Sequence, residues 1–450
     1  MSSLGKELFF YDRFRAYSDE IAIIWQGSQI SYSYLLDRID YWRSQLTGKV
    51  EGKIVGLESD FTPETIAILF ILIEANSVIV PFDVKQSSKN IKKIEIAQLD
   101  LLIRVISEWH IEFIPQDIDT RKNELYNILL DKNIPGLVLF TSGSSGEPKG
   151  AFHDFSRLLS KFQTRRSALK TINFLLFDHW GGLNTLFHVL SNGGTVLFLE
   201  NRNPDYVCEL IQNFHVELLP TSPTFLNMLI LSRAYERFNL DSLKIISYGA
   251  EPMPENLLKH LNILFPNLKF QQTYGLIELG VMRSQSEGNG SLWVKIGGEG
   301  YQTRVVDNLL QIKSDSTMLG YLNALSPFTE DGWFMTGDAV EVKDEYFRIL
   351  GRKSELINVG GEKVFPQEIE NIILQIPRAI DVLVFSEKHP FTGNIVCAKV
   401  RVNEPVDSKE FIKEIKRFCR ERLESFKIPV KIIITEESLH TGRFKKQRTN

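Results

Sequence analysis

A loop rich in hydroxyl groups and glycine follows an apolar stretch near residue 140. Residues 137–140 are Leu-Val-Leu-Phe, and the sequence Thr-Ser-Gly-Ser-Ser-Gly-Glu-Pro-Lys-Gly comes directly after them. Glycines let backbone N–H groups approach phosphate oxygens closely, hydroxyls add donors, and the lysine adds positive charge. The sequence therefore predicts a phosphate site made of Thr141, Ser142, Gly143, Ser144, Ser145, Gly146 and Lys149.

This loop differs from the common G-x-x-x-x-G-K-[ST] nucleotide motif. Lys149 follows a proline, and no serine or threonine comes after it to open a helix. A flexible surface turn of the same composition remains an alternative.

The loop resembles the signature loop of the adenylate-forming superfamily, which includes acyl- and aryl-CoA synthetases, nonribosomal-peptide adenylation domains and firefly luciferase. Four later segments are similar to other motifs of that family, in the same order. They are the Tyr-Gly-x-Thr-Glu motif at 272–278, the Trp-x-x-Thr-Gly-Asp motif at 332–338, the interdomain hinge with its loop at 351–370, and the closing segment at 439–448. Five ordered motifs are far more specific than any one of them.

The resemblance implies a site for ATP. The loop at 141–149 would hold the β- and γ-phosphates, and Arg352 would contact the ribose or a phosphate. Asp338 would accept hydrogen bonds from both ribose hydroxyls, because a carboxylate offers only acceptors. Glu278 would hold Mg²⁺ against the α-phosphate. The residues that would flank the adenine are Gly249, Ala250, Glu251 and Tyr274.

The resemblance also implies a catalytic lysine near the C-terminus. Lys445 matches it, with Arg448 three residues later. Its ammonium would act with Glu278 and Thr141 on a transition state whose negative charge lies on phosphoryl oxygens. The match is imperfect, because Arg443 and Phe444 replace the usual Ser-Gly, and a basic disordered tail is the alternative.

The acid-binding residues are the least certain part of the resemblance. Residues 177–185 are similar to the Leu-Phe-His-x-Gly-Gly segment of acyl- and aryl-CoA synthetases, which places His179 at the pocket histidine. Asp178 is similar in position to the amino-group anchor of amino-acid-activating relatives. Trp180 and Tyr248 would wall a compact pocket, although a tryptophan beside two glycines is equally expected in a core. The spacing favours a neutral aromatic or short aliphatic acid over an amino acid.

Two positions depart from the family pattern. Ile277 replaces the threonine of Tyr-Gly-x-Thr-Glu, and Ser354 stands where the hinge usually has Asp or Lys. These departures leave room for a slow or specialised enzyme. Ile277 and the altered closing segment favour the alternative of a non-catalytic nucleotide-binding relative.

The composition excludes several other classes. The chain has 450 residues, 43% hydrophobic and 24% charged, with a net charge of −4, so it is expected to fold as a globular protein without a nucleic-acid partner. Three scattered cysteines are too few for a disulfide framework. The N-terminus lacks the apolar core of a secretory signal, and the run 65–80 is too short to span a membrane. A cytoplasmic location is expected.

Alternating helical and strand-like segments predict an α/β fold with largely parallel sheets. We expect a large N-terminal domain at 1–351, made of packed α/β subdomains and a β-rich piece, that binds ATP and the acid. A small mobile α+β domain at 352–450 would carry the catalytic lysine.

The resulting hypothesis is an AMP-forming acid–thiol ligase. It would activate a small carboxylic acid as its acyl-adenylate with ATP and Mg²⁺, and then transfer the acyl group to coenzyme A. An acyl carrier protein or an amine as acceptor remains an alternative.

Overall fold

The computed structural model describes residues 8–116, 122–142, 147–298, 300–437 and 439–440, without the side chains of 87–89 and 142. Its α-helices are α1 Phe9–Ala16, α2 Tyr32–Leu46, α3 Pro63–Glu74, α4 Ser87–Ala97, α5 Asn127–Leu130, α6 Phe155–Ser160, α7 Trp180–Ser191, α8 Pro204–Phe214, α9 Pro223–Ser232, α10 Glu255–Leu264, α11 Pro366–Ile373 and α12 Ser408–Arg420.

The first thirteen strands alternate with these helices. They are β1 Ile21–Trp25, β2 Ser28–Ser31, β3 Ile54–Ser59, β4 Val78–Asp83, β5 Leu101–Ser107, β6 His110–Pro115, β7 Gly136–Ser142, β8 Pro148–Asp154, β9 Thr171–Asn173, β10 Val196–Phe198, β11 Leu218–Thr221, β12 Ile245–Tyr248 and β13 Lys269–Gln272.

The remaining strands form smaller sheets and hairpins. They are β14 Gly275–Leu276, β15 Gly280–Val281, β16 Ser284–Ser286, β17 Val294–Ile296, β18 Tyr301–Val306, β19 Leu309–Ser314, β20 Gly320–Tyr321, β21 Phe334–Lys343, β22 Tyr346–Arg352, β23 Ile357–Val359, β24 Glu362–Val364, β25 Ala379–His389, β26 Gly393–Val402 and β27 Lys431–Thr435.

Two seven-stranded sheets form the body of the large domain. One has the order β13-β12-β11-β9-β10-β1-β2 and is parallel apart from β1–β2, and the other has the order β20-β8-β7-β4-β3-β5-β6 with a parallel centre. A largely parallel sheet needs helices on its faces, and α3 is buried along its entire length. The α/β prediction is therefore confirmed.

A third, antiparallel sheet follows, with the order β16-β17-β22-β21-β19-β18. It corresponds to the predicted β-rich piece. Its strand β21 carries Asp338, and its strand β22 ends at Arg352, so this sheet delivers two predicted site residues to one place.

The C-terminal part has a hydrophobic core of its own. Helices α11 and α12 pack on the sheet β25-β26-β27. The buried side chains of this core come from residues between Ile357 and Ile432. We call this unit, from Ile357 to His440 in the described residues, the lid. The exact boundary at residue 351 stays a prediction.

The structure also bears on the expectations about the cysteines and about a membrane span. The three cysteines, Cys208, Cys397 and Cys419, are all buried and free. Within the described ranges, no helix combines the length and apolar content that crossing a membrane requires.

A buried ion pair fastens α2 to α3. The carboxylate of Glu64 accepts hydrogen bonds from the Arg38 guanidinium, with Nε at 2.8 Å, and from the backbone N–H of Trp109 at 3.2 Å. Both charged side chains are almost fully buried. Removing one member of such a pair leaves the other charge uncompensated in a medium of low polarity.

Glu64→Ala is therefore expected to lower the free energy of unfolding by about 3–5 kcal/mol. Asp12→Ala, which removes an exposed partner of Arg15, is the matched control and should cost less than about 1 kcal/mol. Urea denaturation followed by fluorescence measures both variants. Equal small effects would show that the buried pair does not hold these helices together.

Candidate active site

A cavity of about 630 Å³ lies between the large domain and the lid. The ends of strands β11, β12 and β13 contribute Thr221, Ser247 and Gln272, and the lid contributes residues of α11 and β25. Ligands of open α/β sheets bind beyond the carboxyl ends of the strands, where this cavity lies. Most of the predicted site residues within the described ranges line it.

The predicted phosphate loop joins β7 to β8 at one side of the cavity. Thr141 lines the cavity, and it lies opposite Lys149 in the antiparallel register of the hairpin. The Nζ atom of Lys149 is 5.7 Å from the centroid of the Tyr321 ring. The side chain of Ser142 and all of Gly143, Ser144, Ser145 and Gly146 lie outside the described residues.

Glu278 faces the cavity next to this hairpin. Its Oε1 atom accepts a hydrogen bond of 2.6 Å from the hydroxyl of Tyr321. Burial and the neighbouring carboxylate raise the pKa of Tyr321 far above its usual range, so the hydroxyl remains a donor. Tyr321 belongs to none of the sequence motifs, because its position depends on the pairing of β20 with β8, which no local pattern predicts.

Asp338 is buried at the hinge side of the cavity and is held by two partners. The Tyr274 hydroxyl donates to Oδ2 at 2.5 Å, and Nε of Arg352 is 3.3 Å from Oδ1. Burial raises the pKa of Asp338, and Arg352 and Tyr274 oppose that shift. Burial also raises the pKa of Tyr274 well above its usual range, and the charge of Asp338 adds to this.

The segment predicted to flank an adenine ring lies along the same cavity. Gly249, Ala250 and Glu251 all line it, and Oε1 of Glu251 accepts from the backbone N–H of Thr224 at 3.3 Å. Ala250 has a φ of 67°, a left-handed conformation that costs energy for a residue with a side chain. A side chain at Gly249 would place its Cβ 2.5 Å from Oγ1 of Thr273, so glycine is required there.

Two of the four predicted acid-binding residues line the cavity. His179 caps α7, with its Nδ1 accepting from the backbone N–H of Gly181 at 3.1 Å, and Trp180 follows it in the first turn. A side chain at Gly182 would place its Cβ 2.3 Å from the carbonyl oxygen of Leu176, so this turn can pack closely only with glycine.

The other two predicted acid-binding residues are not among the cavity-lining residues. Asp178 is buried, and its Oδ2 is 3.5 Å from Nζ of Lys93 on α4. Tyr248 is buried in the core around β12, while its neighbours Ser247 and Gly249 face the cavity. Period-two alternation along a strand accounts for this, because consecutive side chains point to opposite faces.

Several buried polar atoms of the cavity wall lack a partner among the described residues. They include Oγ1 of Thr221 and Oε1 of Gln272, both on residues that are at most 9% exposed. Leaving buried polar atoms unpaired is costly, so a polar ligand at this place would restore their hydrogen bonds. The donor and acceptor set fits a nucleotide better than an apolar molecule.

The lid covers the open side of the cavity with polar side chains. Gln367 and Asn371 of α11, Asp381 of β25 and His440 line it. Asn227 of the large domain donates through Nδ2 to the carbonyl oxygen of Ile380 at 2.9 Å. Lys445, the predicted catalytic lysine, lies outside the described residues.

Within the described part of the chain, no three His, Cys, Asp or Glu side chains are grouped as a metal site. Mg²⁺ in nucleotide enzymes usually takes one or two carboxylates together with phosphate oxygens and water, so a protein-only cage is not required. The Glu278 carboxylate, which faces the cavity, fits that arrangement.

Comparison with known proteins agrees with this geometry. Residues 10–308 match the AMP-binding enzyme family, and residues 368–445 match the AMP-binding enzyme C-terminal domain. The chain is 27% identical over 323 residues to the long-chain-fatty-acid–CoA ligase FadD13 of Mycobacterium tuberculosis, covering 66% of this chain and 63% of that ligase. It is 24% identical over 450 residues to the trans-cinnamate:CoA ligase of Petunia hybrida, covering 87% of this chain and 75% of that protein.

Solved structures share the fold over almost the full length. The anthranilate CoA ligase AuaEII in complex with anthranoyl-AMP superposes with a TM-score of 0.83 at 17% identity, covering 99% of this chain and 96% of that one. ATP-bound MatB from Rhodopseudomonas palustris gives 0.78 at 21% identity, covering 96% and 95%. With the family match spanning well over half of its length, the chain belongs to the AMP-binding enzyme family.

Proposed function

We propose that this protein is an ATP-dependent acid–thiol ligase that forms an acyl-adenylate and then an acyl-CoA. The observation that carries the proposal is the convergence of Asp338, Tyr274, Arg352 and Glu278 on one cavity at the junction with the lid. The relatives named as CoA ligases support the reaction class and favour coenzyme A over an acyl carrier protein as acceptor.

In the first half-reaction, a carboxylate oxygen of the acid attacks the α-phosphorus of ATP, and pyrophosphate leaves. Asp338 would accept the ribose hydroxyls, and the segment at 249–251 with Tyr274 would flank the adenine. Mg²⁺ would be held by Glu278 and would supply positive charge at the phosphate oxygens. Lys149, Thr141 and the loop 142–146 would position the β- and γ-phosphates, which keeps the leaving group in line.

In the second half-reaction, the thiol sulfur attacks the acyl carbon, AMP leaves, and the thiol proton passes to solvent. This step needs other protein groups beside the acyl carbon than the first half-reaction does. The hairpin β23–β24 belongs to the lid and is absent from the described cavity lining, whereas His440 is part of it. The arrangement described here therefore suits the first half-reaction, and a rotation of the lid about the hinge at 352–355 would serve the second.

We infer that the acid is neutral apart from its reacting carboxylate. Asp178 has Lys93 as its cationic partner, so it does not require an amino group on the substrate. Trp180 lines the cavity, is 2% exposed, and packs edge-on against Phe155. A rigid, large side chain of this kind limits the length of the acid that fits.

Lys445→Ala is expected to lower acid-dependent ATP–pyrophosphate exchange by at least about 100-fold. The variant loses a positive charge that would stabilise the transition state more strongly than the bound substrates. Thioester formation from pre-made acyl-adenylate should stay within about twofold, since that step does not use the lysine. Lys446→Ala is the matched control and should retain both activities. Equal loss of both half-reactions in Lys445→Ala would contradict the assignment.

Trp180→Ala is expected to raise kcat/KM for acids several carbons longer than the preferred one by about tenfold or more, because each methylene admitted to an apolar pocket is worth roughly 10- to 200-fold. Trp180→Phe keeps most of the bulk and should change this preference much less. Steady-state kinetics with a series of straight-chain and benzoic acids measures the shift. If Trp180→Ala lowers kcat/KM for all acids alike, the residue belongs to the core and does not limit acid length.

A further inference from the structure

A buried carboxylate–imidazole pair lies on the lid surface that faces the cavity. Nε2 of His440 is 2.7 Å from Oδ2 of Asp381, and the two side chains are 10% and 6% exposed. The second oxygen of Asp381 accepts from the backbone N–H of Val382 at 2.9 Å. Both residues line the cavity, and none of the sequence motifs includes Asp381.

A bulge in β25 places this pair at the interface between the domains. The register with β26 shifts between Ala379 and Asp381, so Ile380 is an extra residue in the strand. A bulge bends its strand and re-aims neighbouring groups. Here the carbonyl oxygen of Ile380 accepts a hydrogen bond of 2.9 Å from Asn227 of the large domain. The next residue, Asp381, contacts His440.

The Asp381–His440 pair connects strand β25 to the start of the closing segment at 439–448. The bulge of β25 is tied to the large domain, because Asn227 donates a hydrogen bond to the carbonyl oxygen of Ile380. His440 precedes Lys445 by five residues, which span at most about 17 Å when fully extended. A tether at His440 therefore restricts where Lys445 can reach.

We propose that Asp381 and His440 form a positioning pair that holds the start of the closing segment against the cavity during acyl-adenylate formation. The role rests on the proposed function, because it assigns the pair to the first half-reaction. The pair acts through the segment it anchors and makes no contact with reacting atoms. A role in lid stability alone would affect both half-reactions equally.

The first test compares the half-reactions in Asp381→Ala and His440→Ala. Losing the close contact with a charged group is expected to lower ATP–pyrophosphate exchange by about 10- to 100-fold. Thioester formation from pre-made acyl-adenylate should stay within about twofold. Asp381→Asn keeps an oxygen acceptor for His440 and should lose less than Asp381→Ala. Glu414→Gln, which changes a partly exposed lid carboxylate paired with Arg378, is the matched control.

The second test measures the anchoring apart from activity. Trypsin cleaves after Arg443, Lys445 and Lys446, and intact mass spectrometry follows the loss of the C-terminal residues. In Asp381→Ala and His440→Ala this cleavage should be about tenfold faster than in the wild type, because both variants lose the proposed anchor at His440. Glu414→Gln should match the wild type.

Three results would overturn the proposal. They are unchanged tail cleavage in both variants, an equal fall in both half-reactions, and unchanged exchange together with faster cleavage. If the wild type catalyses no exchange with any acid, the proposed function fails, and the cleavage rates still decide whether the pair anchors the segment.

Discussion

The site depends on one buried carboxylate, that of Asp338, which has to be compensated where three parts of the chain meet. A carboxylate away from water is costly unless donors and positive charge surround it. Its partners come from separate elements, Tyr274 from the end of the large parallel sheet and Arg352 from the end of β22. The contact with Tyr274 thereby ties the third sheet to the body of the large domain, and the contact with Arg352 fixes the end of β22, from which the chain continues toward the lid.

The same arginine interacts electrostatically with two carboxylates of the cavity, Asp338 and Glu278. Burial alone would lower the pKa of Arg352, but the charges of Asp338 and Glu278 raise it above its usual value. Glu278 is in turn held by Tyr321, whose ring lies near Lys149 of the phosphate hairpin. The proposed ribose site, the carboxylate proposed to hold Mg²⁺ and the predicted phosphate loop would therefore belong to one electrostatic network.

Residues inside short motifs were predictable from the sequence, and residues defined by distant contacts were not. Thr141, Tyr274, Glu278 and Asp338 each lie in a short motif whose local pattern is specific, and all four line one cavity. Lys93 is 85 positions from Asp178 in the sequence, so nothing local indicated that this aspartate already had a cation beside it.

The helices and strands show the same difference between what local sequence patterns predict and what distant contacts determine. The apolar pattern at 64–74 predicts a buried helix, which is α3, and the strand-like runs at 136–140 and 244–247 predict strands, which are β7 and β12. The charged pattern that begins at Lys409 predicts a helix as far as Phe426, but α12 ends at Arg420. Leu423 and Phe426 pack against the core of the lid, and this tertiary contact turns the chain where the periodic pattern continues.

The most direct measurement is acid-dependent exchange of labelled pyrophosphate into ATP by the wild-type protein, with amino acids, benzoates and short fatty acids as the panel. We expect Mg²⁺-dependent exchange with one or more neutral acids, and formation of a thioester when coenzyme A is added. ATP binding without exchange for any acid, or exchange with amino acids alone, would contradict this expectation.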